Sequence, residues 1–134
     1  NYKSDLIAAV ASVSGAMLEC TGSTSHPMPV LHLHGTYDSV LPYNGSGYWS
    51  SVQSTLDYWI NFNNTITTPT INNDNSGEIS IEHYVYDQGD SSVSVEHYKF
   101  IKGDHVWFSA TYQGQAPSEL VWSFLSRYDI NGLR

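Results

Sequence analysis

The sequence predicts an α/β layer fold: a mostly parallel sheet with helices packed on it and a hairpin at one edge. Three observations carry this. Two short runs near the start, 6–13 and 29–35, are apolar almost without alternation, as in central strands covered on both faces. Residues 79–86 and 93–101 alternate and are rich in β formers, with a short turn between them. Residues 44–64 and 117–130 contain the one-sided periodicity of amphipathic helices. The order is therefore strand, strand, helix, hairpin, helix, a mixed layer architecture. The 134 residues suit a single domain. Two helices are few for a sheet that needs both faces covered, so the chain reads as part of something larger.

Taken in order, "LIAAVASV" (6–13) is stopped by Ser14 and Gly15, a length that favours a strand over a helix. A loop with Gly22, Pro27 and Pro29 leads into "PVLHLHG" (29–35). Residues 44–64 form a turn and then a helix, with Val52, Leu56, Trp59 and Ile60 on one face and Asn63 and Asn64 breaking it. The Thr-, Asn- and Pro-rich stretch 65–78 reads as loop. "ISIEHYVY" and "VSVEHYKFI" are joined through the turn "DQGD" (87–90). In the last helix Pro117 sits at the start, and Leu120, Val121, Phe124 and Leu125 make the apolar stripe.

Composition argues against several classes of partner. Lysine and arginine number five against thirteen acidic residues, a net charge of −8. Such a surface repels phosphate backbones and anionic lipid, so neither nucleic acid nor membrane is an expected partner. The single cysteine, Cys20, permits no internal disulfide and no cysteine-based zinc site, and is expected to be buried or inert. The acidic, Asn-, Ser- and Thr-rich composition with ten tyrosines suits an exported protein. The chain starts at Asn1 rather than Met, which points to processing, tagging or truncation.

Two stretches carry candidate chemistry. In "HLHGTYDSVLP" (32–42), Asp38 lies just past an apolar strand, where open α/β sheets place ligands. Pro42 disfavours helix at Leu41. Alone, Asp38 reads better as a turn aspartate bonding nearby backbone N–H groups. In "KGDHVWF" (102–108), His105 follows a later strand on a Gly103-Asp104 turn. Alone it reads as a loop histidine, or as a general base with an ordinary pKa near ~6.5. Together they follow the Ser…Asp…His chain order, in which the acid orients an imidazole that takes the proton of a serine hydroxyl.

These stretches, with "SDLIAAVASVSGAM" (4–17) and "ELVWSFLSRY" (119–128), resemble the carboxyl-terminal half of polyhydroxybutyrate-depolymerase-like esterases, a group that includes feruloyl and acetylxylan esterases. The resemblance spans nearly the whole chain and is weakest at 62–92. It implies a partial α/β-hydrolase fold in which residues 1–134 are one domain, the carboxyl-terminal portion of a larger one. It also implies a secreted serine esterase acting on small-molecule or polymeric esters, with Asp38 as triad acid, His105 as triad base and no cofactor or metal. Trp107 stands in the family's His-x-Trp position, whereas Asp104 replaces a glycine and Phe108 a proline.

The nucleophile's Gly-x-Ser-x-Gly elbow is not found. Ser14 in "SVSGAM" lacks the glycine before it, and Ser46 in "NGSGY" lacks a preceding strand. By the resemblance, residues 1–5 end the helix that follows the elbow, so the serine and the oxyanion donors are expected upstream. The missing amino-terminal half, or a second copy of the chain, is the expected partner. Other residues have competing readings. Trp107 either lines an acyl or aryl pocket or belongs to the core; Tyr37 and Tyr43 flank the Asp38 loop and could border the same pocket. His32 and His34 share a strand face and suit packing better than metal binding. His83 and His97, in matching "EHY" triplets, suit cross-strand pairing. Sequons occur at Asn44 and Asn63. The competing functional class is a polymer- or polysaccharide-binding module, in which Asp38 and His105 are incidental.

Overall fold

The computed structural model describes residues 3–19 and 21–134; Cys20 and the first two positions of the expected helix end lie outside the described residues. The architecture is an α/β fold with a five-stranded mixed sheet, two helices and a small two-stranded hairpin. The strands are β1 (Val10–Val13), β2 (Val30–Gly35), β3 (Thr70–Asp74), β4 (Ile81–Tyr86) and β5 (Val95–Phe100), in spatial order β1-β2-β5-β4-β3. The helices are α1 (Val52–Asn63) and α2 (Pro117–Leu125), and the hairpin is β6 (Tyr128–Asp129) with β7 (Gly132–Leu133).

Several expectations are corrected. β1–β2 and β2–β5 are parallel, but β5–β4 and β4–β3 are antiparallel, so the sheet is evenly mixed rather than mostly parallel. The difference is β3, inside the stretch read as loop. Its side chains are largely exposed, so it shows no apolar face; backbone pairing to β4 holds it in the sheet. The β4–β5 hairpin therefore lies inside the sheet and β3 forms the edge. The first strand is shorter than read, because Ser4–Leu6 forms a 3-10 turn. The last helix ends at Leu125, and the chain reverses through β6 and β7 at Gly132, whose φ of 114° only glycine adopts readily.

β2 is buried along its length because a helix covers each face of the sheet. Leu31, Leu33 and Phe100 pack with Leu120 and Phe124 of α2. Val30 and Val95 pack with Val52, Leu56, Trp59 and Ile60 of α1. α1 starts at Ser51, whose side chain accepts from the Ser54 N–H. It stops at Asn64 in the left-handed conformation. Fully buried Asn63 is spent on the backbone: its amide oxygen accepts from Met28 N–H at 2.8 Å and its amide nitrogen donates to the Met28 carbonyl at 2.7 Å. Its sequon is therefore sealed in the core, whereas Asn44 is exposed. Among the described residues no helix is long and apolar enough to cross a membrane.

Candidate active site

β1, β2 and β5 run parallel, so their carboxyl ends share one edge of the sheet. The loop after β2 carries Asp38 and the loop after β5 carries His105. The loops meet through their main chains. A Cβ on Gly35 would lie 2.1 Å from the Gly103 carbonyl oxygen, so only glycine permits the approach. Tyr37 N–H donates to that same oxygen at 2.9 Å, and Lys102 N–H donates to Thr36 Oγ1 at 2.7 Å.

This seam brings the two side chains together. His105 Nδ1 lies 2.9 Å from Asp38 Oδ2 and 3.2 Å from Oδ1. An ionised carboxylate only accepts, so Nδ1 carries the proton and donates it. Nε2 has no hydrogen-bond partner among the described residues. The Asp38 side chain is fully buried, while that of His105 is 35% exposed. Burial alone would raise the Asp38 pKa. Hydrogen bonds from Leu41 N–H at 2.7 Å, His105 and Val40 N–H at 2.9 Å outweigh it and hold the carboxyl below its ordinary value.

Behind Asp38 runs a buried line of imidazoles. His34 Nε2–H donates to the Leu41 carbonyl at 2.8 Å and lies 3.2 Å from Asp38 Oδ2. That leaves His34 Nδ1 to accept from His32 Nε2–H at 3.1 Å. On β5, His97 Nδ1–H donates to the His32 carbonyl at 2.8 Å, and the Tyr43 hydroxyl donates to His97 Nε2 at 2.8 Å. Burial pushes the His32 pKa well below its ordinary value and that of His97 down to about 3, so both rings are neutral near pH 7. His34 thus buttresses both the acid and the loop that carries it. Strand alternation puts His32 and His34 on one face, but nothing in the sequence points from His34 to Asp38.

The remaining candidates separate. Tyr37 and Trp107 are 64% and 62% exposed, one on each loop of the pair. Tyr43 is half-buried, turned inward onto His97 and in edge contact with His34. Ser14 is buried at the end of β1 in the left-handed conformation, and its hydroxyl donates to the Val106 carbonyl at 3.1 Å, anchoring the loop that carries His105. Ser46 is exposed and accepts from Tyr48 N–H. His83 stacks on its cross-strand partner Tyr98 at 4.1 Å, and His97 is paired with Tyr84. Beside the His105 loop a groove of about 400 Å³ is lined by Ile79, Gly103, Val106, Phe108 and Ala110, with Glu78 among its polar groups. Among the described residues no three His, Cys, Asp or Glu side chains are grouped to hold a metal ion.

The sequence matches no protein-family model, and no curated protein matches it.

Proposed function

We propose that this chain is the acid- and base-bearing part of a serine carboxylic-ester hydrolase, its sheet being the carboxyl-terminal part of an α/β-hydrolase sheet. The observation that carries the reading is the buried Asp38 carboxylate bonded to His105 Nδ1, with Nε2 open. In the reaction Nε2 takes the proton of a serine hydroxyl as its oxygen attacks the ester carbonyl. His105 then returns that proton to the departing alkoxide, leaving an acyl-enzyme. Water repeats the sequence, and the freed acid departs. Asp38 stays ionised and stabilises the imidazolium.

The serine comes from outside this sequence, on a strand-to-helix elbow alongside β1. β1 is an edge strand, and the apolar side chains of Leu6, Ile7 and Leu18 near it are exposed, which suits a covering segment. The same enzyme's remaining portion is the first candidate partner, and a second copy the next. The exposed Tyr37 and Trp107 suit contact with the ester substrate.

A serine-directed fluorophosphonate tests this in the protein as purified from its source. The expected labelled species is heavier than the 14.9 kDa of this chain, or is a second polypeptide held by it. Asp38→Asn should slow ester turnover by about 10⁴-fold, and His105→Ala by at least as much. A source protein that takes no label, and binds polysaccharide or polyester film without cleaving it, overturns the esterase reading. Turnover by a homogeneous 134-residue chain, abolished in His105→Ala, overturns the external serine.

A further inference from the structure

Asp104 precedes His105, yet its carboxylate reaches out of its own loop. A single oxygen, Oδ1, accepts from Ser39 N–H at 2.9 Å, from the Ser39 hydroxyl at 2.7 Å and from His105 N–H at 2.7 Å. Ser39 is the residue after the acid, 65 positions earlier in the chain. One oxygen thus joins the backbone following Asp38 to the backbone nitrogen of the base. We propose that Asp104 is a positioning residue for the Asp38–His105 pair, a role that rests on reading that pair as acid and base.

The seam at Gly35 and Gly103 sets the spacing of the loops where they leave the strands. It lies one residue short of Asp104 on one side and four residues short of Ser39 on the other. The Asp38 carboxylate is fixed to its own loop by Val40 and Leu41. The His105 ring is over a third exposed and is held by Asp38 through Nδ1 alone. A small rotation of the 104–106 backbone therefore moves Nδ1 away from the carboxylate. The Asp104 clamp opposes that rotation at the backbone nitrogen of His105 itself. A carboxylate suits the task because all three partners are donors, and such bonds are stronger when the acceptor is ionised. The bonds from Ser39 N–H, the Ser39 hydroxyl and His105 N–H also hold the Asp104 carboxyl below its ordinary pKa, so the clamp stays charged around neutral pH. The clamp is at the surface, so its effect is on geometry more than on global stability.

Solvent exchange of the His105 Nδ1 proton, followed by nitrogen-proton NMR in the 134-residue chain, tests the proposal without any ester. Asp104→Ala removes all three bonds, but because they are exposed it should speed that exchange by only about tenfold, while the thermal midpoint barely moves. Ser39→Ala removes only the hydroxyl bond and should give a smaller change of the same sign. Asp104→Asn keeps an oxygen that can accept all three bonds and should restore most of the protection. Unchanged exchange in Asp104→Ala overturns the proposal, as does Asp104→Asn behaving like Asp104→Ala. An unmutated chain whose His105 proton sits on Nε2 overturns the acid–base reading as well, and that failure is visible before any variant is made.

Discussion

Gly35 sets how closely the Asp38 and His105 loops approach. Adding one methyl group there drives a Cβ into the Gly103 carbonyl oxygen, and backbone on both sides must yield. Gly35→Ala should therefore cost about 1–3 kcal/mol in a urea titration, as overpacking does. It should also abolish the His105 Nδ1–H signal, because the 2.9 Å bond to Asp38 spans the disturbed seam. The buried imidazoles make a second residue-scale prediction, in pH. His32 and His97 are held neutral in the folded chain but protonate near ~6.5 when unfolded. The unfolded state then binds more protons, so stability falls as pH drops below about 6.5. Asp38 and Glu96 have folded pKa values below their ordinary ones of 3.8 and 4.5, so their contribution is full above both and is lost only as pH falls through the folded values. Urea midpoints between pH 7 and pH 5 should therefore decline, and His97→Phe should flatten the decline.

Among the elements, the helices were the most legible. Asn64 and Pro117 sit at the ends their chemistry suggests, and the apolar faces of α1 and α2 pack on the sheet as their spacing implies. β2 was legible because burial on both faces leaves a nearly unbroken apolar run; β1 carries the same pattern yet is a half-buried edge strand, so its expected central place is corrected. β3 was not, because its ladder to β4 uses backbone groups and its side chains, Asn72 and Asn73 among them, stay in water. The site divides in the same way. The chain order of Asp38 and His105 suggested their meeting, and the structure brings them to hydrogen-bonding distance. The hydrogen bonds of His34, Ser14 and Asp104 join residues through loop shape, which no periodicity reports. Asn63 repeats the point: its helix-ending character could be read, its clasp on Met28 could not. Asn63→Ala removes two buried bonds and should lower stability by roughly 2–3 kcal/mol by chemical denaturation.

Across the whole molecule, the far side of the sheet is tied down by buried Glu96 of β5. It accepts from His83 at 2.8 Å, from Arg127 at 2.6 Å and from Ser94, which in turn bonds the Tyr128 hydroxyl at 2.8 Å. One carboxylate thus links β4, β5 and the segment after α2. Burial would raise its pKa, but the bonds from His83 and Arg127 bring it below the ordinary value. Glu96→Gln removes the charge those donors face and should cost about 2–4 kcal/mol, with the C-terminal segment losing amide protection first in hydrogen exchange.

The mixed sheet also orders its own assembly. β3, β4 and β5 are neighbours in sequence and form an antiparallel meander that closes only short loops. The β2–β5 pairing joins residues 65 positions apart, as the bond from His97 to His32 records. Contacts of such long separation form late, after the local ones have lowered the cost of closing the loop. Asp38 and His105, 67 positions apart across that pairing, meet only once it is made. Their hydrogen bond is therefore a natural clock for the final step of folding, and in a refolding experiment its proton signal should appear after the β4–β5 amides are already protected.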